Sequence, residues 1–308
     1  MKPGYTTCRS LLGRYKGRGG LLLLFLPILA YFIVFHYIPM GGQVISFKSY
    51  VMTDGIFGSE WVGLRNFERL FASKDFPRAF RNTLVLSGLR LFFGFFAPVV
   101  IALLLNEIRS ATYKRTIQTL TYLPHFFSWV ILGGIFLMLF SGSGPINHVV
   151  KLIAGKPVSF LTHDTWFIVV LISTGIWQAA GWGSIIYLAA LSGIAPQLYE
   201  AATIDGANRW QQTRHITIPS LVPTMITLFI LSLGGILSAG FDQVYNMYNP
   251  MVYDVADVIG TYVLRRMMGL DFSLAAAAGM FKSVIGLILV VASNWIAKKL
   301  TGGEQGVY

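Results

Sequence analysis

Charge is scarce in this 308-residue chain: only 12% of its residues are Asp, Glu, Lys or Arg, while 55% are hydrophobic and mean hydropathy is +0.63. A soluble domain of this length needs a far more charged surface, so the bilayer is the expected solvent. Cysteine is nearly absent. The single Cys8 excludes an intrachain disulfide and most cysteine-based metal sites. Acid is the minority charge, 13 carboxylates against 24 Lys and Arg, for a net +11. Such an excess suits nucleic acid or anionic lipid. No basic stretch is interleaved with base-stacking aromatics, however, and Lys and Arg of membrane proteins collect in cytoplasmic segments, so no nucleic-acid partner is expected. A Gly-x4-Gly-Lys-Ser/Thr phosphate loop is also missing: Gly155-Lys156-Pro157 lacks the preceding glycine and the hydroxyl. The chain is therefore not expected to be an enzyme by itself or to hold a cofactor. His36, His125, His148, His163 and His215 lack ligand spacing, and no metal site is expected.

What is abundant is long apolar sequence. A bilayer core of about 30 Å takes roughly 20 residues per helix. Six segments qualify, near Leu21–Ile45, Thr83–Leu105, Ile117–Phe140, Trp166–Ser192, Ser220–Tyr245 and Ala276–Ala297. Arg9, Arg14, Lys16 and Arg18 precede the first, as in a signal peptide, but the uncharged stretch Gly19–Phe47 is too long for a signal core and reads as a retained span. Six spans put both termini on one side. With that side cytoplasmic, tails and inner loops hold 12 Lys and Arg, outer loops 10, and spans 2. The expected organisation is a basic cytoplasmic tail (1–20), one six-helix transmembrane domain (21–298) and a short cytoplasmic tail (299–308).

Between the fourth and fifth spans, at 196–219, lies Leu198-Tyr199-Glu200-Ala201-Ala202-Thr203-Ile204-Asp205-Gly206-Ala207, continuing through Asn208-Arg209-Trp210-Gln211-Gln212-Thr213-Arg214-His215 to Ile216-Thr217-Ile218-Pro219. It reads as a short helix, a turn at Asp205-Gly206, and a second short helix running into a proline-started span. Gly206 supplies positive φ, Ala201, Ala202 and Ala207 allow close approach of another surface, and Pro219 suits a first helical turn. The segment resembles the EAA loop of ABC importer permeases: Glu-Ala-Ala, three residues, Gly, nine residues, Ile-x-Leu-Pro. Glu200, Ala201, Ala202, Gly206, Ile216 and Pro219 match, with Asp205 and Ala207 as the usual flanks. Ile218 stands where Leu is usual, and Thr213 where a Phe often packs against the ATPase.

The resemblance implies the type I importer fold, all-α with six transmembrane helices, in the bacterial plasma membrane. It further implies a coupling role for Glu200, Ala201, Ala202, Asp205, Gly206 and Ala207. The implied partners are two copies of a cytoplasmic ATP-binding subunit carrying ATP and Mg, a second homologous permease, and an extracellular or periplasmic solute-binding protein. Asn82-Thr83, Leu103-Leu104-Leu105-Asn106, Tyr122-Leu123-Pro124 and Phe272-Ser273-Leu274-Ala275-Ala276-Ala277 point to the carbohydrate-uptake branch, maltose-type permeases for oligo- and polysaccharides.

A sugar path needs aromatic faces for ring C–H groups and polar groups for hydroxyls. Span four offers Trp177, Gln178 and Trp182; the end of span five offers Phe241, Asp242 and Gln243, followed by Tyr245 and Asn246. In maltose-type permeases the counterparts of Trp182, Phe241 and Asp242 lie at or beside sugar contacts. The same residue types also anchor helices at interfaces or bond neighbouring helices. Arg90, Asp242 and Lys282 are charges within the expected spans. They form either a structural ion pair, Asp242 with Arg90 or Lys282, or a polar cavity for an anionic sugar. An ion-gradient-driven secondary transporter is the rival reading; it requires half-chain repeats and a midplane carboxylate relay, and spans three and four carry no acid.

Overall fold

The computed structural model describes residues 19–300, which are helical almost throughout. The basic amino tail with Cys8, and residues 301–308 of the expected carboxyl tail, lie outside the described residues. Five helices are long and apolar enough to cross a membrane: Leu23–Phe47, Asp75–Glu107, Asp164–Ser192, Arg209–Leu233 and Phe272–Trp295. Two further helices, Ala111–Phe126 and Trp129–Leu139, bent at 102° to each other, reach the same length and apolarity only when taken together, as a broken span or a re-entrant loop.

The first span opens with α1 (Gly19–Phe32) and passes through a π-helical turn at Ile33–Tyr37. Pro39 follows within two residues. Proline lacks the N–H and crowds the carbonyl four residues back, and widening the preceding turn relieves both conflicts. Across a two-stranded hairpin, β1 (Lys48–Ser49) and β2 (Glu60–Trp61), the chain enters α2 (Arg65–Ala72) and then α3 (Asp75–Glu107). This second span begins eight residues before the expected Thr83, because the charged turn Asp75–Arg81 folds as helix under a cap of contacts from the 253–259 segment. Asn82 Nδ2 donates to Asp257 O at 3.0 Å, and Thr83 Oγ1 accepts from Ile259 N at 2.9 Å. The segment thus held leads into α12 (Ile259–Met268), where Arg265 grips the fully buried Asp257 through two hydrogen bonds of 2.9 and 2.7 Å. Those bonds hold the Arg265 guanidinium above its ordinary pKa.

Two spans are not continuous helices, contrary to the hydropathy reading. In the third, α4 (Ala111–Tyr122) ends in a 3-10 turn through Pro124, Phe127 and Ser128 are extended, and α5 (Trp129–Leu139) starts in a new direction. The short α6 (Pro145–Ala154) leads to α7 (Asp164–Ser192), the fourth span. The fifth span stops at Leu233, twelve residues before the expected Tyr245. A 3-10 turn at Ile236–Ser238 and left-handed residues Ala239 (φ 49°) and Gly240 (φ 64°) separate it from α11 (Phe241–Met247). Irregular backbone at membrane depth survives only where protein covers it. Here Leu237 and Ala239 are buried, Ser87 Oγ donates to Ile236 O, and α11 packs on α5, where a Cβ at Gly133 would meet Asn246 at 3.0 Å. The core lies between α3 and α7, with Leu86, Phe167, Val170 and Leu171 at its centre. The last span, α13 (Phe272–Leu300), closes the end of the bundle at the start of α3 through Phe281 against Phe76.

Candidate functional site: a helical elbow and an interrupted transmembrane path

The elbow between spans four and five folds from local chemistry. Pro196 starts α8 (Pro196–Ile204). Gly206, at φ +82°, ends it: Ala207 N donates to Ala202 O at 2.8 Å and Gly206 N to Thr203 O at 3.1 Å, the paired bonds of a Schellman stop. Two residues later Asn208 caps α9 (Arg209–Gln212) with a reciprocal box, Asn208 Oδ1 accepting from Gln211 N and Gln211 Oε1 from Asn208 N. A second π-helical turn, Thr213–Thr217, joins α9 to α10 (Ile218–Leu233), where Pro219 sits in the first turn. The fifth span therefore begins inside the elbow at Arg209, not at Ser220. Gln212 Nε2 to Thr203 Oγ1 at 3.0 Å and Tyr199 OH with Thr217 Oγ1 at 3.0 Å fix the two arms together.

Glu200, Ala201, Asp205 and Gly206 are exposed, and Ala202 and Ala207 half-buried. Glu200 borders a cavity of 820 Å³ with Glu107, Tyr199, Thr203 and Arg209. Arg209 Nη1 lies 3.4 Å from Glu107 Oε2, tying the elbow to the end of α3. Sequence reasoning did not single out Glu107, whose partner is 102 residues away. Ile204 (86% exposed) and Trp210 (70%) present apolar surface beside these charges, the composition of a contact face.

The path candidates fall into separate groups. Trp182 stacks on His125 at 4.8 Å with a 2° interplanar angle, Phe126 meets the same indole edge-on, and Gln178 Nε2 donates to His125 O at 3.4 Å. Trp177 points elsewhere, edge-on to Phe136 at 5.6 Å. His125 and Phe126 were not expected here. They join the group because the third span breaks beside them, an event that only the neighbouring Pro124 foreshadows. Phe241 stacks on Tyr245 at 5.7 Å and seals against Gly260.

The expected ion pair of Asp242 with Arg90 or Lys282 does not form. Asp242 is exposed in the first turn of α11, and among the described residues neither it, Arg90 nor Lys282 enters an ion pair. The break in span five rotates the neighbouring residue inward instead. Gln243 is 0% exposed, donates to Leu171 O at 2.9 Å and Thr174 Oγ1 at 2.7 Å, and accepts from Arg90 Nη2.

The structure thus joins interrupted apolar spans, a capped elbow between two of them and an exposed face of mixed apolar and charged residues. Residues 91–302, more than half of the chain, match the model of the family described as "binding-protein-dependent transport system inner membrane component". The chain is 46% identical over 292 residues to Protein LplB of Bacillus subtilis (strain 168), covering 94% of this chain and 91% of that protein. It is 45% identical to the polygalacturonan/rhamnogalacturonan transport system permease protein YteP of the same organism, covering 94% and 90%. Among solved structures, a chain of a bacterial alginate ABC transporter in complex with an alginate pentasaccharide-bound periplasmic protein superposes with a TM-score of 0.88 at 40% identity, covering 96% of this chain and 99% of that one. The chain belongs to this family: it is an inner-membrane permease component of an ABC importer, and the resemblance carried by residues 198–219 is borne out.

Proposed function

We propose that this permease forms half of the translocation path for an oligo- or polysaccharide and is driven through its 196–219 elbow by a separate ATPase. Its termini and elbow are cytoplasmic, the fold from 21 to 298 is one transmembrane unit, and ATP and Mg reside on two copies of the partner. A second, homologous permease supplies the other half, and a solute-binding protein delivers the sugar from outside. The relatives that transport polygalacturonan, rhamnogalacturonan or alginate support the carbohydrate assignment.

The observation that carries the coupling role is the elbow itself. Capped at both arms and crossbraced, it moves as a body with α7 and α10, so closure of an ATPase pair becomes rotation of two spans. Glu200, Ala201, Ala202, Asp205, Gly206 and Ala207 form the docking segment. Trp177, Gln178, Trp182, Phe241 and Asp242 line the path; Gln243 acts from behind it by holding Arg90. The test is copurification and transport with Glu200→Lys and Gly206→Pro. At normal membrane levels both variants lose the ATPase or its stimulation; undiminished transport refutes docking.

A further inference from the structure

Arg90 is an intramembrane cation without a counter-ion. It is the sixteenth of the 33 residues of α3, one before the central residue. No carboxylate pairs with it among the described residues, its Nε is buried with no hydrogen-bond partner, and its side chain donates from Nη2 to the neutral Gln243. A guanidinium has five donors, so this arrangement leaves most of them unanswered. Such a group within a span is retained against a substantial desolvation penalty and marks a functional site unless structure alone explains it.

The position is built around it. Gly240 adopts φ +64° and leaves no room for a Cβ beside the guanidinium, and Gly175 approaches from α7. Arg90 is also one of the residues lining a cavity of 320 Å³, with Pro98, Gly183, Tyr187, Leu228 and Ser232 among the others. That volume is at the lower edge of small-molecule sites, roughly 300–1,000 Å³. The wall is mainly apolar, with the Tyr187 and Ser232 side chains as the other hydroxyl-bearing groups. One fixed cation, two hydroxyls and hydrocarbon match a sugar ring that carries a carboxylate.

We propose that Arg90 is a specificity-determining residue that reads the carboxylate of a uronate-containing cargo as it passes the break in span five. The planar fork binds a carboxylate through two parallel N–H donors, which a neutral sugar hydroxyl cannot reproduce. Gln243 holds the fork in position between passages without neutralising it. The inference rests on the carbohydrate reading above and deepens it.

The test uses the complete importer with its ATPase and binding protein in proteoliposomes, and two probes: penta-galacturonate and its fully methyl-esterified form. Arg90→Gln lowers uptake of the free acid by about tenfold or more relative to uptake of the ester, whereas Arg90→Lys retains an intermediate preference. Gln243→Glu supplies an internal carboxylate that occupies the fork: compared at equal levels of assembled importer, it loses uptake of the acid and keeps uptake of the ester. Equal loss of both probes in Arg90→Gln, with undiminished acid uptake in Gln243→Glu, overturns the proposal and makes Arg90 a brace for the broken span. If the wild type moves a neutral oligosaccharide but neither probe, the charge-reading inference falls while the carbohydrate reading stands. Absence of uptake of every sugar from an intact, ATP-hydrolysing assembly refutes the carbohydrate reading itself.

Discussion

Arg90 on the second span donates to Gln243 on the helix beyond the break in the fifth, so a polar bond between side chains 153 positions apart spans the site of interruption. Gln243 answers with its own two bonds to α7, to Leu171 O and Thr174 Oγ1. Replacing it with Leu strands the Arg90 charge and leaves Leu171 O without the side-chain donor; Thr174 Oγ1 still donates to Val170 O at 2.6 Å. Gln243→Leu is expected to destabilise the detergent-solubilised assembly by about 1–3 kcal/mol, seen as a lower thermal midpoint. Gln243→Glu keeps the acceptor for Arg90 and adds charge complementarity but loses the Nε2 donor to Leu171 O, so a smaller fall in the midpoint than in Gln243→Leu is expected.

The close approach of Arg90 to Gly240 makes that glycine intolerant. Gly240→Ala brings a Cβ into the guanidinium and forces a side chain into the left-handed region. A loss of about 1–2 kcal/mol from the backbone alone is expected, with reduced membrane levels. Gly279→Ala is the control: its Cβ meets nothing within 4 Å, and a helix-interior alanine is favoured by about 0.5–1 kcal/mol. The same readout should rise or stay level.

The Glu107–Arg209 pair is more than half exposed on both sides, 51% and 66% of the side chains. Its contribution to stability is expected to be about 1 kcal/mol or less, so thermal midpoints should barely move in Glu107→Arg or Arg209→Glu. Coupling should move. Each single variant is expected to lower the stimulation of ATP hydrolysis by liganded binding protein, and the charge-swapped double variant to recover at least half of it. Identical losses in the singles and the double would mean that the pair carries nothing between span two and the elbow.

At the outer end Asp257 is fully buried, accepts from Arg265 through both oxygens, and also accepts from Thr261 Oγ1 at 2.8 Å. Removing one member of a buried pair typically costs about 3–5 kcal/mol. Asp257→Ala is expected to open the 253–262 segment to limited proteolysis from the outer face. Asp257→Asn, which keeps the shape and one acceptor, should be cut more slowly than Asp257→Ala.

The legible parts of this molecule are those set by neighbours in sequence. Asp205-Gly206 and Asn208 announce a stop and a restart within four residues, and the Schellman bonds and capping box follow. Apolar runs located the five long apolar helices and the bent pair for the same reason: each is a local property. The interruptions were not legible. Gly234, Gly235, Ala239 and Gly240 are all at home in transmembrane helices, and what opens the backbone there is cover from Ser87 and Arg90, about 150 residues earlier. One consequence is the exchange of roles between Asp242 and Gln243. Counting along an unbroken helix makes the carboxylate the intramembrane partner of Arg90; the left-handed pair at Ala239-Gly240 resets the rotation and turns the amide inward. Asn82 and Thr83 were noticed only as a family trait, and the structure supplies their reason as holders of the outer segment.

The π-helical turn before Pro219 has a mechanical effect. By absorbing the proline without ending the helix, it leaves Arg209 to Leu233 as one uninterrupted rod, 25 residues and about 37 Å at 1.5 Å each. Under the coupling proposed above, such a rod is a lever: a tilt of about 10° at the elbow displaces the Leu233 end sideways by about 6 Å at that length. That is enough to widen or pinch a passage the width of a single sugar ring.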